Sequence, residues 1–453
     1  MSDIAFQPAR ALAAAIRRRE VSSRELLEHY LDRVEALNPP LNAVVTLDAE
    51  GARQAADAAD EALARGGEIG PLHGVPMTIK DCYDTAGIRT TCGVEDWDRV
   101  PERDAEAVRR LRDAGAVIFG KTNTPAFTAD WQTYNPMFGT TNNPWDTTRS
   151  SGGSSGGSAA ALAAGLTPLE LGSDIAGSIR LPSNWCGTCG HKPSFGVVPQ
   201  RGHLPSAPGA LADRDLNVVG PMARDVDDLD MALDILAGPT GDQAKGWRLE
   251  LPAARANTLS ELRIATWLDD PTYPVADDVR GVHETAVSAL RKAGARIVAS
   301  SPPVTLTEVV SLHMELLYPV MEASSEMLHR NWLAVNEKRE QLRARMTEFF
   351  RDVDALLMPV AVVAAIPHDH DAPLAGREIR TPGGSRPYLD LFGWVGLATA
   401  AYLPSTAVPV GRTAQGLPVG IQIVGPYLED RTTLAVARCI EKTLGGFVPP
   451  PGF

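Results

Sequence analysis

Two serines and a lysine carry the most reactive chemistry this chain can be read to hold. Ser154 and Ser178 lie 24 positions apart in the stretch Gly152–Pro182, GGSSGGSAAALAAGLTPLELGSDIAGSIRLP. A Gly/Ser run there passes into an Ala/Leu helix and then into a second glycine-bearing turn. Glycines serve where backbone must approach a bound group or take positive φ, and serines among them set hydroxyls beside backbone amides. Three chemistries compete: a phosphate cradle, a flexible tether, and the nucleophile region of a hydrolase. Tethers do not carry helices of this kind, and a G-x-x-x-x-G-K-[ST] phosphate loop needs a lysine that the run lacks. A serine nucleophile needs a base. His191 and His203 lie beyond the turn, and Lys80 lies upstream, where Val75, Met77 and Ile79 alternate with Thr78 and Lys80 as in a strand ending at the lysine.

Four motifs, in order and at matching spacing, widen this reading: GVPMTIKD at 74–81, GGSSGG at 152–157, GSDIAGSIRLP at 172–182 and CGTCGHKP at 186–193. With them the sequence resembles the amidase signature family. The likeness continues through NPMFGTTNNPWD before the Gly/Ser run and through LLMPV and GLPVGIQIVG near the C-terminus, so it covers nearly the whole chain. The resemblance implies that Ser178 is the acyl-accepting nucleophile, Ser154 a bridging serine on a cis peptide, and Lys80 the base. It implies an α/β fold in which a large mixed central β-sheet is covered by helices on both faces. The expected organisation is a single domain over residues 1–453, with a signature core at about 70–225 and a variable, pocket-forming helical region at about 305–395.

The activity so implied is hydrolysis of the C–N bond of a small or aryl amide, and of carbamates or esters, with no cofactor. A second reading is the amidase subunit of a tRNA-dependent glutamine amidotransferase. Against it, no DGxRYG-like segment occurs in the second half. A catalytically silent binding protein is the third, and the presence of all three relay residues opposes it.

An amide is resonance-stabilised and has a poor leaving group, so a catalyst must activate a nucleophile, hold the oxyanion and protonate nitrogen. Burial of Lys80 beside Met77 and Ile79 would disfavour its cation and lower its pKa from about 10.4. The rival for a lone lysine is a surface ion pair with Asp81 or Asp84. Backbone amides of Ile175, Ala176, Gly177 and Ser178 form the expected oxyanion nest, because consecutive N–H groups in a tight turn converge. Ala176 stands where the commonest family form has glycine, and its methyl is tolerated only at negative φ. Ser155 is expected to bond nearby backbone, and Asp174 and Arg180 to be structural. Trp131, Tyr134, Met137 and Phe138 are candidates for an aromatic-accepting pocket, although core packing explains them equally well. His368-Asp-His370-Asp is the one cluster that suggests a metal; on a loop after a proline it reads as solvent-facing, and no metal is expected.

The elements that must position these residues follow the punctuation of the chain. A capping box at Ser22 and Glu25 opens a helix bearing Leu26, Leu27, Tyr30, Val34 and Leu37 on one face. A second helix runs over about 48–65, then come the Lys80 strand, a helix at 104–112 and a strand at 116–119. Gly115 to Thr122 satisfies the phosphate-loop expression letter for letter, but its variable positions are that strand, so the match is rejected. A helix at 159–165 and a strand at 169–171 follow, and 194–221 reads as a long ordered loop. Residues 263–266, 279–293 and 296–299 make a βαβ-like unit. Helices at 307–350, strands at 406–410 and 420–424, and a helix at 430–444 complete the chain.

Composition bounds the partners. With 453 residues and a formal net charge of −13, the chain is poorly suited to a nucleic-acid polyanion. A small-molecule substrate is expected, with no membrane partner and a cytoplasmic location, since no run reaches transmembrane length and the N-terminus lacks a signal-peptide pattern. A homodimer is left open. Five cysteines, odd in number, do not suggest a disulfide framework, and Cys186 and Cys189 read as packing thiols.

Overall fold

The computed structural model describes residues 4–204, 207–321, 326–381 and 384–453. Its first helices begin and end where side chains can satisfy their free backbone groups. After α1 (Ala9–Arg17), the Ser22 hydroxyl and the Glu25 carboxylate close a reciprocal capping box on α2 (Ser23–Leu37). The strand β1 (Val44–Leu47) leads into α3 (Ala49–Arg65), capped by Asp48 and ended by Gly66 in the left-handed conformation. Then come β2 (Pro76–Lys80), α4 (Glu106–Asp113) and β3 (Val117–Thr122). They form a three-stranded sheet in the order β1-β3-β2, with β2 parallel and β1 antiparallel to β3. Gly120, Lys121 and Thr122 lie inside β3, so the segment is no phosphate loop.

Two short hairpins, β4 (Tyr134–Asn135) with β5 (Gly139–Thr140) and β6 (Asn142–Asn143) with β7 (Asp146–Ser150), precede the central elements. These are α5 (Gly156–Ala163), β8 (Leu169–Asp174), α6 (Arg180–Cys186), β9 (Cys189–Lys192), β10 (Val218–Ala223), α7 (Val226–Leu236) and the short α8 (Gln243–Gly246). The unit β11 (Arg263–Thr266), α9 (Asp277–Lys292) and β12 (Arg296–Ile297) has the parallel pairing expected of it. Next are α10 (Leu306–Met321), α11 (His329–Asp352), β13 (Ala355–Pro359) and a hairpin of β14 (Glu378–Thr381) and β15 (Gly384–Pro387). The chain closes with α12 (Phe392–Ala400), β16 (Ser405–Arg412), β17 (Pro418–Val424) and α13 (Asp430–Leu444).

Eight strands pair in the order β12-β11-β13-β17-β16-β9-β10-β8, parallel across β12-β11-β13 and antiparallel elsewhere. Successive side chains on a strand point to opposite faces, and here that alternation builds two cores. Ile264, Leu357, Ile421 and Ile423 join Leu229 and Leu233 of α7 and Leu434 and Val436 of α13. Ala265, Leu356, Met358 and Val424 join Val309 and Leu312 of α10 and Trp394 and Leu397 of α12. The fold is thus the expected α/β arrangement with helices on both faces.

One expectation fails. The stretch 194–221, read as loop, ends inside β10, where Pro221 stands opposite Leu171 of β8. Its β9 pairing covers only Met222 and Ala223, so the proline, which has no N–H, lies where the strand is paired on the β8 side alone. Tertiary pairing overrides a turn-like composition there. Residues 205 and 206 of that stretch lie outside the described residues.

Candidate active site

The site forms where the three-stranded sheet meets the β8 edge of the large one. Side chains rather than a backbone ladder make this seam: Thr78 donates its hydroxyl to Glu170, and Tyr83 donates its hydroxyl to the Gly172 carbonyl at 2.7 Å. Lys80, at the end of β2, is fully buried in it. Its Nζ lies 2.7 Å from Ser154 Oγ, 2.9 Å from Ser155 Oγ and 3.0 Å from Ser173 Oγ.

No ion pair involves Lys80 among the described residues. The expected rivals are engaged elsewhere, Asp81 with Lys121 at 3.4 Å and Asp84 with Arg99. Burial therefore lowers the Lys80 pKa, with the more distant acidic groups only partly opposing it. A neutral amine has two N–H donors and one lone pair, and three hydroxyls can meet both needs because each hydroxyl donates and accepts. The histidines play no such part. His191 bonds Thr406 and Asp430, and His203 packs against the Tyr83 ring with Asn217 at its Nδ1.

The Gly/Ser run is shaped by close backbone contact. The Gly153–Ser154 peptide is cis, and a Cβ on Gly153 would stand 2.4 Å from the Asp130 carbonyl oxygen, so only glycine fits. Ser155 N–H donates to the Ser178 carbonyl at 3.2 Å, which brings the two serine-bearing segments together. Ser155 is expected to bond nearby backbone, and its hydroxyl reaches the Ser173 carbonyl at 3.5 Å; it also faces the Lys80 amine. Ser173 was not singled out from sequence. Its one signal is a polar residue in the strand LELGSD, which is buried along its whole length and also carries Glu170 and Asp174.

The turn from Asp174 to Arg180 carries Ser178, which is 5% exposed. Asp174 accepts from the Gly177 amide at 2.8 Å, the Ile179 amide at 3.1 Å, and Arg180 Nε and Nη2 at 3.0 Å each. Burial alone would raise this carboxyl, but the Arg180 guanidinium and these hydrogen bonds outweigh it and hold it at about 2. The structural reading of Asp174 and Arg180 matches these contacts. Ala176 avoids positive φ, while Gly177 takes φ +94°. Of the four amides expected in the nest, Gly177 N–H is taken by Asp174. Among the described residues, no acceptor meets the amides of Ile175, Ala176 or Ser178.

The four aromatic-pocket candidates separate. Trp131 is buried, with its indole N–H donating to the Ala176 carbonyl at 2.7 Å. Tyr134 stacks on His370 and lines a cavity of about 460 Å³ with Asp130 and Arg377. Met137 and Phe138 are half-buried and do not line that cavity; Phe138 lies under the Arg89 guanidinium. His368 and His370 are half-buried rather than solvent-facing, because the Tyr134 ring covers His370. Among the described residues no three His, Cys, Asp or Glu side chains are grouped to hold a metal ion, and no helix is long and apolar enough to cross a membrane. All five cysteines are free; Cys186 and Cys189 are buried and bond backbone carbonyls.

Comparison with known proteins agrees with the fold. The Amidase family model matches residues 25–326 and 311–434. An acylamidase of Rhodococcus erythropolis is 34% identical, over 95% of this chain and 94% of its own length. A glutamyl-tRNA(Gln) amidotransferase subunit of Moorella thermoacetica is 32% identical, over 97% of each. Among solved structures, a bacterial aryl acylamidase of the amidase signature enzymes superposes with a TM-score of 0.82 at 25% identity, over 97% of this chain and 96% of that one. The chain belongs to the amidase signature family. It is an amidase, an enzyme that hydrolyses amide C–N bonds.

Proposed function

We propose that the enzyme hydrolyses a small or aryl amide, and carbamates or esters of similar shape, through an acyl-enzyme on Ser178. The observation that carries this is the fully buried Lys80 amine, 2.7 Å from Ser154 Oγ and without a carboxylate partner among the described residues. In the first half-reaction, neutral Lys80 takes the Ser154 proton while Ser154 takes that of Ser178, whose oxygen adds to the substrate carbonyl. The amides of Ile175, Ala176 and Ser178 receive the oxyanion. On collapse, Ser154 delivers a proton to the departing nitrogen and is reprotonated by Lys80. The C–N bond breaks and the amine leaves. Water then repeats the sequence on the ester, releasing the acid and restoring all three groups.

Residues 1–453 act in this reading as one domain, with the core at about 70–225 supplying the relay and the helices at about 305–395 shaping the acyl side. Five free thiols support a cytoplasmic location, and a homodimer is compatible with it. The amidotransferase-subunit reading finds support in the Moorella relative and none in the absent DGxRYG-like segment. A panel of aliphatic amides, anilides, carbamates, esters and glutamine tests the choice. Anilide turnover that vanishes in Ser178→Ala, with phenylmethylsulfonyl fluoride labelling Ser178 in the parent, is the expected result. Turnover of glutamine alone would favour the subunit reading.

A further inference from the structure

We propose that Trp131 and His313 are positioning residues that aim the amides of the Ile175–Ser178 turn, so that α10 governs the rate of the chemical step and not only the shape of the pocket. This rests on the reading of Ser178 as nucleophile.

The argument follows the peptide planes. In a trans peptide the C=O and the next residue's N–H point in opposite directions, so whatever grips a carbonyl also aims the amide behind it. Three successive carbonyls of the turn are gripped. Ile175 accepts from His313 Nε2 at 3.1 Å, Ala176 from Trp131 Nε1 at 2.7 Å, and Gly177 from the Leu181 amide in the first turn of α6 at 2.7 Å. The amides behind them belong to Ala176, Gly177 and Ser178. The Gly177 amide is held by Asp174, which fixes that peptide from both sides. Among the described residues those of Ala176 and Ser178 remain free of protein acceptors, as does that of Ile175.

Two of the three grips are side chains from elsewhere in the chain. Because a carbonyl only accepts, His313 Nε2 must carry the hydrogen. Burial holds the ring neutral, with its pKa lowered to about 4, so Nδ1 is bare, and among the described residues nothing donates to it. Phe392 of α12 braces both anchors edge-on, with ring centroids 4.4 Å from Trp131 and 5.5 Å from His313. Gly396, one turn further on, lets α10 come close: a Cβ there would stand 3.3 Å from His313 Nδ1.

Removing either donor leaves a buried carbonyl unpaired, and the peptide can turn to seek another partner. Without His313 the Ala176 amide behind the Ile175 carbonyl drifts from the oxyanion position, where aim decides its worth; without Trp131 the Ala176–Gly177 peptide is held only through the Gly177 amide on Asp174, and the Ala176 and Ser178 amides on either side of it lose their fixed aim. Ground-state binding, which does not depend on those amides in the same way, is spared.

The test compares Trp131→Phe, His313→Leu and His313→Gln, the last keeping an N–H donor close to the place of Nε2. For each, kcat and KM on an anilide are measured together with the affinity of an arylboronic acid, whose tetrahedral adduct puts an oxygen in the nest. Trp131→Phe and His313→Leu are expected to lower kcat by about 10- to 100-fold, with KM within about 2-fold and boronate affinity falling in step with kcat/KM. His313→Gln should recover most of the loss. Folded Trp131→Phe and His313→Leu with parental kcat, a kcat loss without a matching loss of boronate affinity, or His313→Gln no better than His313→Leu would each overturn the proposal. If Trp131→Phe melts below the assay temperature, the His313 pair decides alone. Failure of the underlying reading is separate: the parent would then turn over no amide, or Ser178→Ala would keep its activity.

Discussion

Three lysines are fully buried in this enzyme, and their partners explain why only one is suited to act as a base. Lys192 donates to the Leu403 and Pro193 carbonyls, which only accept, and Lys121 has the Asp81 carboxylate. Lys80 alone faces three hydroxyls, so its lone pair can receive a proton from one of them. Because the cation is disfavoured by burial, protonation comes at a pH below that of an ordinary lysine. The rate should fall with decreasing pH through that lowered pKa along a one-proton limb; a kcat/KM profile flat across the acid range would refute a lysine base. Ser155 and Ser173 accept from the ammonium when it forms, which favours the charged state. Their replacement by alanine should lower kcat by about 10-fold each, the order of one lost charge-assisted hydrogen bond, and move the acid limb to lower pH. A limb that stays in place would remove them from the relay's surroundings. Lys80, Ser154 and Ser178 could be named as candidates because their motifs are local. Ser173 could not, because its importance arises only when β8 is laid against β2.

At the scale of elements, the Asp174–Arg180 pair ties the end of β8 to α6, and Arg180 reaches on to the Val395 carbonyl and Thr399 of α12 and to Gln422 of β17. Both members are fully buried. Arg180→Met would leave a buried carboxylate without its cation, a change that costs about 3–5 kcal/mol. Chemical denaturation should show a loss of that size; one under about 1 kcal/mol would mean that the turn relaxes to reach water. Helix boundaries were the most readable feature of the sequence, since Ser22, Glu25, Asp48 and Gly66 mark them with local chemistry. The start of β10 was the least readable. Nothing near Val218 announces a strand, and its place is set by β8 and β9, which lie before it in the chain.

The whole molecule stacks two cores against one sheet, and the seam beside β2 carries a second unusual group. Burial pushes the Glu170 carboxyl up to about 7, against partial opposition from the Thr78 and Ser158 hydroxyls. A carboxyl whose folded pKa lies above its unfolded value contributes stability below the unfolded value of about 4.5 and loses it as pH rises through 7. The melting temperature should therefore decline more steeply between pH 5 and 8 in the parent than in Glu170→Gln; parallel slopes would contradict the shift. The two-faced sheet was foreseeable from the family resemblance and not from strands such as Thr406 to Val410, whose residues do not alternate between apolar and polar. The separate three-stranded sheet was not, because its joint to the rest is made by side chains.

Complete enclosure of the Lys80 side chain has a practical corollary. The chain holds seven lysines, and Lys245, Lys292, Lys338 and Lys442 are the four in contact with solvent. Reductive methylation, or coupling to an activated resin, should consume those four and leave turnover intact, so the enzyme is suited to immobilisation through its amines.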